Sequence, residues 1–98
     1  MKRIVVEPEA EAELHEAYTW YETQNTGLGS DFLLCIEAAL TSARDRPRSF
    51  PYIHRQTRRV LVRRFPYLIL FRDLPDQTVV LGVMHAARDP KHFLRSKG

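Results

Sequence analysis

The chain has little of what marks a stapled, membrane-spanning or cofactor-bearing protein. One of its 98 residues is cysteine, Cys35, so no disulfide can close within it, and a reduced, cytoplasmic setting is expected. No apolar run approaches the roughly 20 residues of a membrane span. The N-terminus, MKRIVVEPEAEAE, turns acidic after three apolar residues and does not read as a signal peptide. A glycine-rich phosphate loop, His-Glu-x-x-His, paired-cysteine zinc spacing and Gly-x-Ser-x-Gly are all missing, so no metal and no cofactor are expected. Repeats, linkers and low-complexity tracts are missing as well. The length fits one domain, residues 1–98, with a single modest core.

Positive charge is absent from much of the first half. Between Ile4 and Ala43 there are eight acids and no Lys or Arg, whereas Arg44 to Gly98 carries thirteen Lys/Arg against four acids. The net charge of +3 conceals this division. A basic half of this kind implies an anionic partner. The competing reading is that the two halves neutralise each other on folding.

What the chain does have is RRVLVRRFPYLILFR, Arg58–Arg72. Tyr67–Phe71 is apolar throughout, as suits a strand covered on both faces. Val60 and Val62 alternate with Leu61 and Arg63 as in a half-buried strand. Pro66 lacks a donor and fits a bend between them. Two strands, Arg58–Arg64 and Tyr67–Arg72, are therefore expected, with arginines 58, 59, 63, 64, 72 and 88 forming a positive rim.

Around this centre the remaining elements follow from local pattern. Ile4-Val5-Val6 centres a short strand, Lys2–Glu7. Pro8 opens a helix with Glu9, Glu11 and Glu13 near its positive end. Its apolar face is Ala10, Leu14, Ala17, Tyr18 and Tyr21, with Trp20 at the edge and the Trp20/Tyr18/Tyr21 cluster read as core. Asn25 or Gly27 suits the left-handed stop. Gly27-Leu28-Gly29 reads as a connector and Ser30 as the N-cap of a second helix. That helix has a stripe of Phe32, Leu33, Ile36, Ala39, Leu40 and Ala43, Cys35 packing beside it, and ends before Pro47. A short extended piece at Tyr52–His54, a turn over Asp73–Gln77 and a last strand, Thr78–Met84 with Gly82 inside it, complete the order. Lys91–Arg95 adds a helical turn. The fold class is α+β, β-α-α-β-β-β: an N-terminal strand and an α-helical hairpin packed on a small antiparallel β-sheet.

Few residues carry chemical interest. His85 and His92 flank Arg88 after the last strand, so one histidine and one arginine could act as acid/base and phosphate clamp in RNA cleavage. The plainer reading, which we favour, has His85 capping the strand end and Arg88 paired with Asp89 or an acid of the first helix. Arg58, Arg59, Arg63 and Arg64 are either forks for phosphate or carboxylate or a charged rim that discourages edge-to-edge pairing. The first helix's glutamates read as a solvated face.

AEAELHEAYTWYE, GLGSDFL, RRVLVRRFPYLILFR and VVLGVMHAARDP, in that order after an N-terminal strand, resemble the RelE/ParE superfamily of bacterial type II toxins. The resemblance runs from about Val5 to Phe93, and RRFPYLILF followed by VMHAARDP is its most specific part. It implies a toxin neutralised by a cognate antitoxin in a toxin–antitoxin hetero-oligomer, and a role in plasmid stabilisation. Members either cleave mRNA on the ribosome or, in the ParE branch, poison DNA gyrase. RelE-like nucleases place a basic residue after the strand tyrosine, where Leu68 stands here, and more where Ala86 and Ala87 stand. Phe93 lacks the hydroxyl of a proton-transferring aromatic. The chain is thus more similar to the ParE branch, a gyrase inhibitor with no catalytic residue assigned. Arg58, Arg59, Arg63, Arg64, His85 and Arg88 are then expected to bind partners. The alternative is a ribosome-dependent mRNA endoribonuclease using His85, Arg88 and Arg64, and a third is a module that has lost toxicity.

Overall fold

A computed structural model of the chain describes residues 2–88. Asp89, His92, Phe93 and the helical turn expected at Lys91–Arg95 lie outside the described residues. The elements are β1 (Arg3–Val6), α1 (Pro8–Gln24), α2 (Leu28–Asp45), a 3₁₀ turn at Pro47–Ser49, β2 (Tyr52–His54), β3 (Thr57–Leu61), β4 (Tyr67–Asp73) and β5 (Gln77–His85). The helices cover one face of a five-stranded sheet in the order β1-β5-β4-β3-β2. The expected α+β class and helical hairpin are both present. One feature departs from an all-antiparallel sheet: β1 lies parallel to β5, with Val5 opposite Val79.

The centre is β4. Leu68, Ile69, Leu70 and Phe71 are each no more than 4% exposed. Alternation sends Ile69 and Phe71 toward the helices, where Phe32, Ile36, Ala10 and Ala17 meet them. Leu68 and Leu70 go to the other face with Met84 and the flanking Ile53 and Leu81. Opposite Leu70 and Phe71, β5 carries one extra residue, Leu81, between Val80 and Gly82. This bulge sits beside the glycine that marked an irregularity in the sequence.

β3 is shorter than expected, ending at Leu61 rather than Arg64. The cause is Phe65, whose buried ring packs 4.9 Å from Tyr21 and 5.2 Å from Phe32, centroid to centroid. Drawing that ring inward takes Arg63 and Arg64 off the ladder, and Arg64 adopts a left-handed φ of 70°.

The helix junction also differs from expectation. Gly27, at φ 91°, is the left-handed residue, and α2 begins at Leu28, so Ser30 is inside the helix and caps nothing. The capping acceptor comes instead from the preceding helix: the Glu22 carboxylate accepts from the N–H groups of Gly27 (3.0 Å) and Gly29 (2.9 Å). Two of the orphan donors at an N-terminus are thereby satisfied, with the anion at the positive end of the dipole. A Cβ at Gly29 would lie 2.7 Å from the Tyr18 ring, so the helices cross closely here. Trp20, expected in the core, is 57% exposed, while Tyr21 is buried and Tyr18 half-buried.

β1 stops early because Pro8 starts α1 at once. The Glu7 N–H still bonds the Val80 carbonyl at 3.0 Å, but among the described residues no strand flanks β5 on that side beyond Val80. There the Val83 N–H donates to Oε1 of Glu13 at 3.1 Å. A helix carboxylate thus replaces a strand carbonyl. At the sheet's other end of β1, Lys2 pairs with Asp73.

Two expectations follow for stability. Gly29→Ala and Glu22→Ala should each lower the unfolding free energy by about 1–3 kcal/mol, seen in urea titration as a lower midpoint with unchanged slope. Glu13→Ala should cost about 1 kcal/mol and speed amide exchange at Val83, while Glu13→Gln, which keeps a carbonyl acceptor, should preserve most of both.

Candidate functional site

Where β1 ends, a groove of about 500 Å³ opens between α1 and the C-terminal half of β5. Its α1 wall presents Glu13, Glu16 and Trp20, which lie at three- and four-residue spacings on one side of the helix. Its floor is apolar and largely buried, with Ala17, Tyr21 and Val83. The opposite wall comes from the start of β4 and the end of β5: Pro66, Tyr67, His85 and Arg88. The Ala86 N–H donates to the Pro66 carbonyl at 2.8 Å and ties these two chain segments together.

His85 is held in one orientation. Its Nδ1 accepts the Ala87 N–H at 3.0 Å, and its carbonyl accepts the Arg88 N–H at 3.0 Å. Its ring meets the Tyr67 ring edge-on, with centroids 5.3 Å apart. An Nδ1 that accepts leaves the proton of neutral imidazole on Nε2, an assignment made from this hydrogen bond. In this geometry the ring offers a donor and no free lone pair. Burial, with the Glu16 carboxylate adding to it, pushes the Tyr67 phenol above its ordinary pKa of 10.0, while Arg88 acts in the opposite direction. Burial raises Tyr21 in the same way, with Tyr67 contributing. Both phenols therefore stay protonated at neutral pH.

Of the residues singled out in the sequence, His85 and Arg88 come together in the groove, and the reading of His85 as a strand-end cap fits its bond to Ala87. Arg64 does not line the groove. It lies exposed in the β3–β4 turn, 3.8 Å from the Asp31 carboxylate and 5.5 Å from the Phe65 ring centroid. Arg63 is exposed in the same turn. Arg58 is already engaged, donating from Nη1 to the Phe50 carbonyl at 2.7 Å and stacking 3.8 Å over the Tyr52 ring. Arg59 pairs with Leu70 in register, so it points to the face opposite Arg58. Four of the six arginines expected at the rim, Arg58, Arg59, Arg63 and Arg64, are thus distributed over two faces and a turn.

The sequence reading missed Tyr67, Glu13, Glu16 and Trp20 as members of this site. Trp20 gave a signal in lying off the apolar stripe of its helix. The glutamates gave none, because their spacing is also that of an ordinary solvated face. Among the described residues no three His, Cys, Asp or Glu side chains are grouped to hold a metal ion. Nor is any helix among them long and apolar enough to cross a membrane.

Comparison with known proteins places this geometry in context. A search of curated proteins found no match. The fold is similar to the solved structure of a chromosomal ParDE TA system from P. aeruginosa, with a TM-score of 0.75 and 16% identity, covering 87% of this chain and 96% of that one. Residues 4–90 match the family model of the ParE toxin of the type II toxin-antitoxin system, parDE. A match over that span, carried by the same strand–hairpin–sheet order, shows that the chain belongs to the ParE toxin family of type II toxin-antitoxin systems.

Proposed function

We propose that this toxin acts in the cytoplasm by binding and inhibiting DNA gyrase, and that a cognate antitoxin neutralises it in a toxin–antitoxin complex. The observation that carries the choice against RNA cleavage is the state of His85 in its groove. Its Nδ1 accepts a backbone N–H, an arrangement that disfavours its taking a proton from an attacking 2′-hydroxyl. The facing wall bears Glu13 and Glu16, which would repel a phosphate and oppose the charge that grows on a phosphorane. Tyr67 holds its proton more tightly than an ordinary phenol. Leu68, at the position where nucleases of the superfamily carry a basic residue, is buried on the other face of the sheet. Arg63, Arg64, His85 and Arg88 remain as exposed basic groups toward the β3–β4 turn and the end of β5, available to an acidic surface on a protein partner.

Purified chain added to gyrase and supercoiled DNA should inhibit supercoiling and accumulate cleavage complexes. Expression alone should arrest growth with a DNA-damage response and leave bulk mRNA intact. His85→Ala should weaken inhibition by no more than about ten-fold, as for a contact at an interface rim, whereas a general base would cost about 100-fold or more. Gyrase activity untouched by a chain that still arrests growth, or ribosome-dependent mRNA cleavage abolished by His85→Ala, would refute the proposal.

A further inference from the structure

We infer that the chain meets gyrase through the β3–β4 turn, where Arg63 and Arg64 seat against an acidic patch on the enzyme's protein surface. This inference rests on the gyrase reading above and adds where the contact lies and which side chains make it. The turn is a rigid mount. Val62 and Phe65 are buried on either side of the two arginines, and the Phe65 ring packs against Tyr21 and Phe32. The Val62 N–H donates to the Tyr67 carbonyl at 2.9 Å, and the Tyr67 N–H to the Phe65 carbonyl at 2.8 Å. Between these fixed points Arg63 and Arg64 stand exposed. A contact that is already ordered loses little freedom on binding.

Arg64 is also held where an arginine is disfavoured. Its φ of 70° is left-handed, a region that glycine enters freely and a residue with a Cβ does not. A left-handed arginine serves an exposed turn poorly, which points to a use for its side chain. Its internal partner is weak: the Asp31 carboxylate lies 3.8 Å away, and the two side chains are 63% and 49% exposed, so the pair holds the arginine only loosely. Among the described residues Arg63 makes no ion pair. Arg55 also has a positive φ, 46°, but it lies between the exposed His54 and Gln56 and lacks a buried anchor beside it. Two cations on a single turn form a compact patch, unlike the stripe along an element that follows a nucleic-acid backbone. A cluster of protein carboxylates is the partner they fit.

The test measures inhibition of supercoiling by purified gyrase, together with thermal melts of each free variant of the full chain. Arg64→Gly should raise the inhibitory concentration about ten-fold. Its melting midpoint should be no lower than that of wild type, because glycine accepts the left-handed turn. Arg63→Glu combined with Arg64→Glu should raise the inhibitory concentration by about 100-fold. Asp31→Asn, which removes the internal pair and keeps the arginine, should stay within about two-fold of wild type. If wild type inhibits and the arginine variants inhibit equally well, the turn is not the contact, though the gyrase reading stands. A midpoint that falls in step with inhibition would show that Arg64 serves the fold, and would overturn the inference. Binding of the chain to duplex DNA alone, abolished by the same variants, would overturn it as well. If wild type leaves gyrase untouched, both readings fall.

Discussion

Everything in this fold follows from one strand that has no polar side. Leu68-Ile69-Leu70-Phe71 must be dry on both faces, so β4 has to lie inside the sheet, with neighbours on each edge and a layer above. The helical hairpin supplies that layer for Ile69 and Phe71. β3 and β5 supply the edges. Because the hairpin is entered directly through Pro8, β1 is only four residues long, and β5 outruns it. The groove is a consequence of that difference in length.

Local pattern made much of this legible. The stripes Ala10–Ala17–Tyr21 and Phe32–Ile36–Ala39–Ala43 are buried as their spacing required, and the uncharged run of β4 stood out from charge alone. What could not be read was long-range. Nothing in Ile4-Val5-Val6 says that it pairs parallel to a strand more than seventy residues away. Ser30 looked like a cap, but Glu22, on the preceding helix, reached the donors first. Arg58–Arg64 kept a strand's period, yet Phe65 gained more by joining Tyr21 and Phe32 than the backbone did by extending the ladder.

The same contrast holds for the site. Charge blocks in the sequence suggested a basic rim, and His85 with Arg88 suggested a pair. The pair exists, whereas Arg58, Arg59, Arg63 and Arg64 do not share one surface, since strand alternation divides Arg58 from Arg59 and the turn carries Arg63 and Arg64 off the ladder. The acidic first helix, which looked like mere solvated surface, turns out to face His85 and Arg88 across an apolar floor. Proximity of histidine, tyrosine and glutamate resembles an acid–base set, but here the imidazole Nδ1 accepts a backbone N–H and burial raises the pKa of the phenol. The groove thus sets charges of two signs on either side of a largely buried apolar floor.

The claim that this groove binds rather than cleaves depends most directly on the tautomer of His85. Nitrogen-15 NMR of the imidazole at neutral pH reads it without any assumption about the target. The account predicts an unprotonated, hydrogen-bonded Nδ1 and a protonated Nε2. A proton on Nδ1, with an unshared pair on Nε2 turned toward the groove, would contradict it.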